Sequence, residues 1–435
     1  MEINSIKKKM KRSHFAKELN EDIIGHKVNV GGWIEDIRDI GKIIFLLIKD
    51  ITGAIQVIVD PKEFPQIRDI QRQSSIILSG RLQKSKAKEM KVELKLEEIG
   101  DIYHSNHPLP IDPTGRLESA IDKRLDARAL DLRNENVSNI FIIRSIALEI
   151  IRKTLREMSF LEVNTPKIIG SASEGGANLF EFDYFKNKAY LAQSPQLYKE
   201  QLVLALDRVF EIAPYFRAEK SNTVRHLTEF YSVDIEAAFL EYYDIMEIME
   251  GVIKKVINTL KDLGLIDYTK NESIKKSIET KFEKLTYHSC IQELKENGES
   301  VEYGDDLSDY SLRKLGQLHS GFYFITDWPL KLKPFYILEN DKDPFLSDSF
   351  DLQVGYLELI SGGTRQHDPS KIRNRLSEQG LNPSKFSDHL KVFDWGMPPH
   401  AGCGLGLDRF LMYLTGSMNV REVVLYPRDP YRINP

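Results

Sequence analysis

An arginine-rich segment in the middle of the chain has the residue types that bind phosphate. It runs from Arg217 to Glu229, with Arg217 and Glu219 at one end of a polar loop and Arg225 and His226 at the other. Guanidinium groups bind phosphate oxygens in pairs and stabilise charge that develops during nucleotidyl transfer. An arginine-rich hairpin is also a common salt-bridged surface turn, so this segment alone leaves both interpretations open.

A glycine-rich segment near the C-terminus could approach the same ligand. Gly402, Gly404 and Gly406 precede a predicted helix, and Arg409 lies off the apolar stripe of that helix, in its first turn. A cation at this end opposes the helix dipole, and a bound polyphosphate would account for it. Packing of a helix against a glycine turn explains the pattern equally well.

A strand-like segment from Tyr356 offers ligands for a metal ion. Its alternation predicts that Glu358 and Ile360 share a face, with the hydroxyl of Ser361 nearby and Asp351 in the same run. Magnesium prefers one or two carboxylates together with substrate phosphates. The sequence therefore predicts a magnesium site formed by Glu358, Ser361 and Asp351.

A predicted helix start could hold a small anionic ligand. Ser194 suits the N-cap and Pro195 the first helical position. Gln196 and Lys199 then project from one face, three residues apart. We expect this face to present an amide and an ammonium group together.

Composition and missing motifs exclude several classes of protein. The chain has neither a GxxxxGK[ST] loop nor a GxGxxG between a strand and a helix, so any ATP site must be built otherwise. A formal charge of -5 argues against a surface that binds nucleic acid everywhere. Two distant cysteines encode no disulfide framework or zinc site, and no stretch approaches the ~20 apolar residues of a membrane span. We expect a cytoplasmic protein without a membrane partner.

The N-terminal part predicts a small barrel. Five short strand-like runs lie between Lys27 and Tyr103, which is typical of an OB-fold that binds unpaired nucleic acid. Residues 1–103 are therefore predicted to form an N-terminal arm and this barrel. The next stretch, 104–135, has three prolines within six residues and is predicted to be a hinge or linker.

A larger domain is predicted for residues 136–435. An amphipathic helix runs from about Ile140 to Met158, and a second from Tyr242 to Leu263 stops at Gly264. Strand-like runs between the helices favour a mixed, mainly antiparallel sheet flanked by helices. The fold class is thus α+β, with an α/β insertion at about 270–345.

Together these segments resemble the three signature motifs of the class II aminoacyl-tRNA synthetases. Phe160-Leu-Glu-Val-Asn-Thr-Pro166 resembles motif 1, the 217–229 segment motif 2, and Gly404 to Arg409 motif 3. In this order, behind an OB-like barrel, they are specific to the subclass that charges Asp, Asn and Lys. The aspartyl type of archaea and eukaryotes is the most similar, through GSASEGGANLF, YLAQSPQLYKE, ISGGTRQH and MPPHAGCGLGLDRF.

The resemblance implies an enzyme that activates L-aspartate with ATP and transfers it to the 3' end of tRNA-Asp. It also implies magnesium as cofactor and a homodimer with Pro166 at the interface. In it, Lys199 and Arg365 pair the side-chain carboxylate of aspartate, and Glu174 belongs to a loop that closes over the ammonium group. The implied aspartate-binding residues are Glu174, Gln196, Leu197, Tyr198, Lys199, Arg217, Ser361 and Arg365.

The same resemblance implies the remaining sites. Glu358 and Ser361 hold magnesium, and Phe45, Gln56 and Glu93 read anticodon bases. The implied ATP-binding residues are Arg217, Ala218, Glu219, Arg225, His226, Leu227, Glu358, Gly406, Leu407, Asp408 and Arg409.

Several alternatives stay open. RAEKSNTVRHLTEF and VDIEAAF lean toward an asparaginyl-tRNA synthetase. Lys199 argues against it, since a buried ammonium facing a neutral amide would be unpaired. A related stand-alone asparagine synthetase would lack the barrel, and a non-catalytic RNA-binding paralogue should have lost Arg217, Glu358 or Arg409. Charging of tRNA-Asn also stays open, because Glu35 stands where related barrels often carry an aromatic residue.

Overall fold

The chain forms two compact units, Met1–Glu118 and Ser119–Pro435, in a computed structural model of the protein. The structure describes residues 10–87, 90–170, 179–220, 223–267 and 272–434. No helix in these ranges is long and apolar enough to cross a membrane.

The predicted linker 104–135 is divided by the boundary between the units. Residues 119–135 belong to the second unit and contain helices α1 (Ile121–Asp126) and α2 (Arg128–Asp131). Arg128 is 2% exposed, and its guanidinium donates hydrogen bonds to the main-chain oxygens of Glu422, Val424 and Leu425. This stretch is therefore packed structure and not a linker.

The first unit contains the predicted five-stranded barrel. Its strands are β1 (Lys27–Asp39), β2 (Ile44–Asp50), β3 (Gly53–Val59), β4 (Ser75–Lys84) and β5 (Val92–Tyr103), closed in the order β1-β2-β3-β5-β4. In β2 every second side chain is buried, as expected for a strand with one face on a core. The OB-type fold is confirmed.

The second unit is built on a mixed sheet. Its strands are β6 (Leu161–Glu162), β10 (Arg208–Phe216), β11 (Glu229–Ala238), β12 (Glu283–Thr286), β13 (Phe322–Thr326), β14 (Ser349–Val354), β15 (Leu357–Thr364) and β16 (His400–Gly406). They pair in the order β12-β13-β14-β15-β16-β11-β10-β6. The β12/β13 and β6/β10 pairs are parallel and the others antiparallel, as predicted. A small separate sheet contains β7 (Ile168–Ile169), β9 (Asn187–Leu191) and β8 (Glu181–Tyr184).

Helices cover both faces of the large sheet. They are α3 (Glu135–Glu157), α4 (Gln196–Leu206), α5 (Tyr242–Asp262), α6 (Glu272–Glu279), α7 (Tyr287–Glu296), α8 (Asp309–Leu318), α9 (Pro369–Glu378), α10 (Ser387–Phe393) and α11 (Leu407–Thr415). The apolar stripes of α3 and α5 pack into the main core. Gly264 follows α5 with a φ of +69°, a left-handed conformation that favours glycine and ends the helix.

The region 270–345 is more than an insertion beside the sheet. Its strands β12 and β13 are hydrogen-bonded to each other, and β13 also pairs with β14, so the region supplies one edge of the main sheet. A separate apolar cluster beneath α7 and α8 includes Tyr287, Leu315 and Trp328. The strands are short, only four and five residues, which is why their pattern is weak in the sequence.

The two faces of the central strands differ in character. Val233 and Ile235 of β11 lie in the core with α3 and α5, as do Cys403 and Leu405 of β16. Side chains alternate across a strand, so the intervening residues of both strands face the other side, where α4 lies. The intervening residues are Ser232, Asp234, Glu236, Gly402 and Gly404.

Candidate active site

A cavity of about 340 Å³ lies on the polar face of the sheet in the second unit. Six basic and four acidic side chains line it, an excess of positive charge that suits a polyanionic ligand. The predicted residues that line it are Gln196, Lys199, Arg217, Glu219, Arg225, His226, Leu227, Glu358, Ser361, Arg365, Gly406, Asp408 and Arg409.

A few predicted residues do not line the cavity. Leu197 and Tyr198 point from α4 into neighbouring apolar clusters, and Leu407 is fully buried in the main core. Ala218 is half-buried outside the cavity wall. Glu174 lies outside the described residues.

The start of α11 positions Arg409. Asp408 anchors this helix, because its carboxylate accepts hydrogen bonds from Arg144 of α3 (2.5 Å) and from the main-chain N–H of Tyr231 (2.8 Å). Arg409 then extends into the cavity, where Nη1 donates to the main-chain oxygen of Glu358 at 3.0 Å. The helix start therefore serves to aim one guanidinium group.

His226 is a neutral imidazole that supports Arg409. Its Nε2 lies 3.2 Å from Nη2 of Arg409, which can only donate, so Nε2 must accept. The ring proton is then on Nδ1 and is donated to the hydroxyl of Thr223 at 2.6 Å. Burial, followed by the charge of Arg409, lowers the pKa of His226 and keeps this form.

Arg225 is held by the region 270–345. Its guanidinium is paired with the carboxylate of Asp309, the first residue of α8. It also lies 5.1 Å from the ring centroid of Tyr356, and Arg313 of α8 lies 3.7 Å from the same centroid. The hydrogen bond from Arg225 lowers the pKa of Asp309. Arg225, a predicted phosphate-binding residue of motif 2, is thus oriented by α8, which lies outside that motif.

A β-bulge arranges the two predicted magnesium ligands. Glu358 pairs with Gln353 while Ile360 pairs with Leu352, so Leu359 is an extra residue on β15. Both Glu358 and Ser361 consequently line the cavity, whereas Ile360 is buried in the core. The prediction that Glu358 and Ile360 share a face is wrong, because it assumed a regular strand.

Asp351 is not available as the third metal ligand. It lies outside the cavity wall, and Nζ of Lys333 binds both of its oxygens, at 2.9 and 2.7 Å. Desolvation and the nearby charge of Asp351 raise the pKa of Glu358. In the described part of the chain, no three His, Cys, Asp or Glu side chains form a metal site on their own.

The helix start at Gln196 forms the opposite end of the cavity. The helix begins one residue later than predicted, at Gln196 with Pro195 as N-cap, and Ser194 Oγ accepts a hydrogen bond from the Gln196 N–H at 3.4 Å. Gln196 and Lys199 both face the cavity, as expected from their spacing. Both are 3% exposed, so a ligand here would be largely desolvated.

Lys199 and Arg365 already have carboxylate partners. Nζ of Lys199 lies 3.1 Å from Asp234 and 3.4 Å from Glu236, and Arg365 forms a two-pronged pair with Glu236 at 2.8 and 3.1 Å. Burial favours the neutral forms, but these carboxylates outweigh it and raise the pKa of both cations. The expectation that Lys199 would be unpaired beside a neutral ligand is therefore wrong.

The glycines of β16 make room for those carboxylates. A Cβ added to Gly402 would lie 2.2 Å from a carboxylate oxygen of Glu236, and one on Gly404 would lie 3.1 Å from Asp234. A Cβ on Gly406 would make only ordinary contacts. Close approach to a ligand was the predicted role of these glycines, but at Gly402 and Gly404 the neighbour is the buried acid.

A second group of predicted residues lies on the barrel. Gln56 donates to Glu93 at 2.9 Å, and Gln83 and Ser85 donate to the same carboxylate at 3.0 and 3.2 Å. Phe45 is half-buried on β2, two residues from the partner of Gln56 in the adjacent strand. The barrel therefore brings an amide and a buried carboxylate together near an aromatic ring.

Pro166, the predicted interface residue, is exposed. Its neighbours are fixed to the sheet. Thr165 donates twice to the buried carboxylate of Glu211 at 2.7 Å, and Lys167 Nζ donates to it at 2.8 Å. Glu211 also accepts from the hydroxyl of Tyr215, which lines the cavity.

Several residues of the site were missed in the sequence, among them four charged ones. Asp234 and Glu236 could have been found, because two acids two residues apart in an apolar strand share a face. Lys333 and Asp309 gave no usable signal, since both lie in the region 270–345, where no periodicity marks the elements.

Two family models match the chain. The model described as tRNA synthetases class II (D, K and N) matches residues 120–430, and the model described as OB-fold nucleic acid binding domain matches residues 28–102.

Curated relatives match over nearly the full length. The chain is 42% identical to a protein of Methanothermobacter thermautotrophicus named aspartate–tRNA(Asp/Asn) ligase, over 98% of this chain and 99% of that one. It is also 42% identical to one of Thermoplasma acidophilum named aspartate–tRNA(Asp) ligase, covering 97% and 99% of the two chains.

Solved structures match with similar coverage. The asparaginyl-tRNA synthetase of Pyrococcus horikoshii complexed with asparaginyl-adenylate has a TM-score of 0.92 and 31% identity, covering 98% of this chain and all of that one. The aspartyl-tRNA synthetase of Entamoeba histolytica has a TM-score of 0.83 and 30% identity, covering 98% and 93%.

Proposed function

The chain belongs to the class II tRNA synthetases for Asp, Lys and Asn, and from this premise we propose that it is an aspartate–tRNA ligase. It would activate L-aspartate with ATP and transfer it to the 3' end of tRNA-Asp. The observation that carries the proposal is that one cavity is lined by five cations, Arg217, Arg225, Arg409, Lys199 and Arg365. A non-catalytic paralogue finds no support, because Arg217, Glu358 and Arg409 all line that cavity.

The arginines account for the first half-reaction. An α-carboxylate oxygen of aspartate attacks the α-phosphorus of ATP, an O–P bond forms, and pyrophosphate leaves with the electrons of the broken bond. Arg217 and Arg409 hold the phosphates in line and stabilise the charge that develops on them. No side chain needs to transfer a proton in this step. The 3'-terminal hydroxyl of tRNA then attacks the carbonyl carbon of the adenylate, an ester bond forms, the bond from this carbon to the phosphate oxygen breaks, and AMP leaves with the hydroxyl proton.

Arg365 is the main contact for the side-chain carboxylate in this proposal. Two of its nitrogens bind Glu236, and among the described residues no hydrogen bond is made by the third, Nη1. Since Arg365 lines the cavity, Nη1 is the donor that remains for a ligand. Lys199 adds a second positive charge on the same side of the cavity, although its ammonium group is already paired with Asp234.

Glu358 and Ser361 fit a magnesium ion. Both line the cavity on the same side of the bulge, and the raised pKa of Glu358 means that this carboxylate gains from a nearby cation. Magnesium takes few protein ligands when phosphates complete its shell. A bound magnesium ion would neutralise charge on the triphosphate, while the arginines orient the triphosphate.

We further propose a cytoplasmic homodimer that reads the anticodon with the barrel. Phe45, Gln56 and Glu93 are the proposed base contacts, and Pro166 the interface residue. The two free cysteines, both buried, suit a reducing compartment. Charging of tRNA-Asn as a second substrate is supported by the relatives named for both tRNAs.

Arg217→Ala and Arg409→Ala test the site. Each removes a donor aimed at the triphosphate, so each should slow aspartate-dependent pyrophosphate exchange by roughly 100-fold, equivalent to about 3 kcal/mol of lost transition-state stabilisation. Circular dichroism checks that both variants are folded. Near-normal exchange in both would mean that ATP binds elsewhere.

A further inference from the structure

A buried carboxylate and a buried histidine lie directly behind the end of the cavity that Gln196 lines. Glu200 is on α4, one turn after Gln196, and is fully buried. One of its oxygens accepts a hydrogen bond from the side-chain amide nitrogen of Gln196. The other lies 3.2 Å from Nε2 of His389, on α10. Neither Glu200 nor His389 lines the cavity, so neither touches the substrate directly.

The charge on this carboxylate decides which way the amide of Gln196 points. An ionised carboxylate only accepts hydrogen bonds, so the NH₂ group of Gln196 must face Glu200. Its carbonyl oxygen is then left over, and among the described residues no hydrogen bond reaches that oxygen. Because Gln196 lines the cavity, this oxygen is available to a ligand.

The surroundings keep Glu200 ionised. Burial alone would raise its pKa, but the imidazole of His389, with Nε2 at 3.2 Å, and the charge of Arg365 outweigh burial and lower the pKa to about 2. His400 on β16 and Arg365, the residue after β15, face the carboxylate from the sheet, and His389 faces it from α10. Glu200 is therefore an ionised, acceptor-only carboxylate at neutral pH.

We propose that Glu200, held by His389, is a positioning residue that turns the carbonyl oxygen of Gln196 toward the ammonium group of the amino acid. Aspartate has one donor group, the α-ammonium, and two carboxylates that can only accept. An inward carbonyl oxygen therefore recognises the ammonium and no other part of aspartate. The inference rests on the proposed function, since it takes an amino acid as the ligand.

Glu200→Gln is the first test, with adenylate formation measured at varied aspartate and varied ATP. The new amide at position 200 can donate as well as accept, so Gln196 is free to turn its NH₂ group inward. We expect the KM for aspartate to rise about tenfold, as for one lost hydrogen bond to a charged group, while kcat and the KM for ATP stay near wild type.

Succinate separates orientation of the amide from general damage to the pocket. It has both carboxylates of aspartate but no ammonium group, so it cannot use the carbonyl oxygen of Gln196. Its inhibition constant against aspartate should be unchanged in Glu200→Gln. Equal weakening of aspartate and succinate would overturn the proposal, because a merely distorted pocket would affect both.

Variants of His389 test the second half of the pair. His389→Gln keeps an N–H near Glu200, so its KM for aspartate should stay close to that of wild type. His389→Leu removes this N–H and should raise the KM for aspartate as Glu200→Gln does. The double variant Glu200→Gln/His389→Leu should be no worse than either single one, since both act through Gln196. Asp388→Asn, at the exposed neighbour on α10, is the matched control and should change nothing.

Two outcomes are distinguishable as failures. If wild-type enzyme does not activate aspartate, the proposed function fails. If it does, but Glu200→Gln leaves the KM for aspartate unchanged, only the positioning role of Glu200 is overturned.

Discussion

At the scale of single residues, two cations and two carboxylates balance one another beside the cavity. Lys199 and Arg365 are each paired with carboxylates that the fold itself supplies, Asp234 and Glu236. Specificity for a carboxylate therefore cannot come from a cation left without a partner. It has to come from donors that remain unused after these pairs form, and Nη1 of Arg365 is such a donor.

Arg365→Lys tests this account of specificity. Lysine preserves the charge beside Glu236 but has no planar fork, so the donor aimed into the cavity is lost. We expect aspartate activation to fall by roughly 100-fold, the effect of about 3 kcal/mol for a lost charged contact, with ATP binding retained. Steady-state adenylate formation measures the first quantity, and equilibrium dialysis of ATP the second.

Lys199→Leu is compared with Arg365→Lys to separate stability from specificity. It leaves Asp234 and Glu236 with one cation fewer in a buried place, which should cost on the order of 3 kcal/mol of folding stability. Thermal unfolding should therefore separate the two variants, with Lys199→Leu much less stable. Equal stability, or an unchanged aspartate rate in Arg365→Lys, would contradict the assignment of roles.

Residue types at fixed spacing were the most predictable part of the site. Gln196 and Lys199 were placed on one face by helical spacing alone, and the structure brings both to the cavity. The ion pairs were not predictable, because Lys199 and Glu236 are far apart in sequence and meet only through the strand order. The prediction of Asp351 as a magnesium ligand was wrong for the same reason, since its pairing with Lys333 could not be inferred from the sequence.

At the scale of elements, two local features decide which side chains meet. The bulge at Leu359 brings Glu358 and Ser361 to one side of β15. Helix α8, in the region 270–345, contacts Arg225 through Asp309, at the part of the cavity where we propose that ATP binds. A single extra residue in a strand leaves little trace in hydrophobic periodicity, so the bulge could not be predicted. The regular elements, such as α3 and α5, were predictable because their apolar stripes are long.

Asp309→Ala tests the contribution of α8 to ATP binding. Asp309 is exposed, so its pair with Arg225 adds little stability and acts by orienting the guanidinium. We expect the KM for ATP to rise roughly two- to fivefold, with a smaller effect at high salt. Pyrophosphate exchange at varied ATP is the measurement. Asp306→Ala, at a nearby exposed acid, serves as control, and an equal effect of both variants would remove the specific role of Asp309.

At the scale of the whole molecule, the fold class was predictable because both units follow strong patterns. Five short alternating strands indicated the barrel, and long amphipathic helices around strand-like runs indicated the α+β unit. The boundary between the units was less predictable. Prolines suggested a linker up to residue 135, but the buried Arg128 binds the stretch after Ser119 to the second unit.

A two-fold homodimer is expected from the exposed motif 1 segment. Pro166 is flanked by exposed Leu161 and Ile168, and its neighbours are tied to Glu211 near the cavity. Most soluble oligomers are symmetric dimers that pair one surface with itself. Sedimentation equilibrium should give twice the chain mass of 50.1 kDa. A stable monomer with full activity would refute this prediction.

Aminoacylation of purified tRNA-Asp and tRNA-Asn transcripts, with aspartate and asparagine supplied in turn, tests the central claim most directly. The account predicts that tRNA-Asp is charged with aspartate, and that asparagine is joined to neither tRNA at a comparable rate. The rate with tRNA-Asn and aspartate then shows whether the barrel accepts both anticodons. Preferential charging of tRNA-Asn with asparagine would contradict the aspartate assignment and support an asparaginyl enzyme.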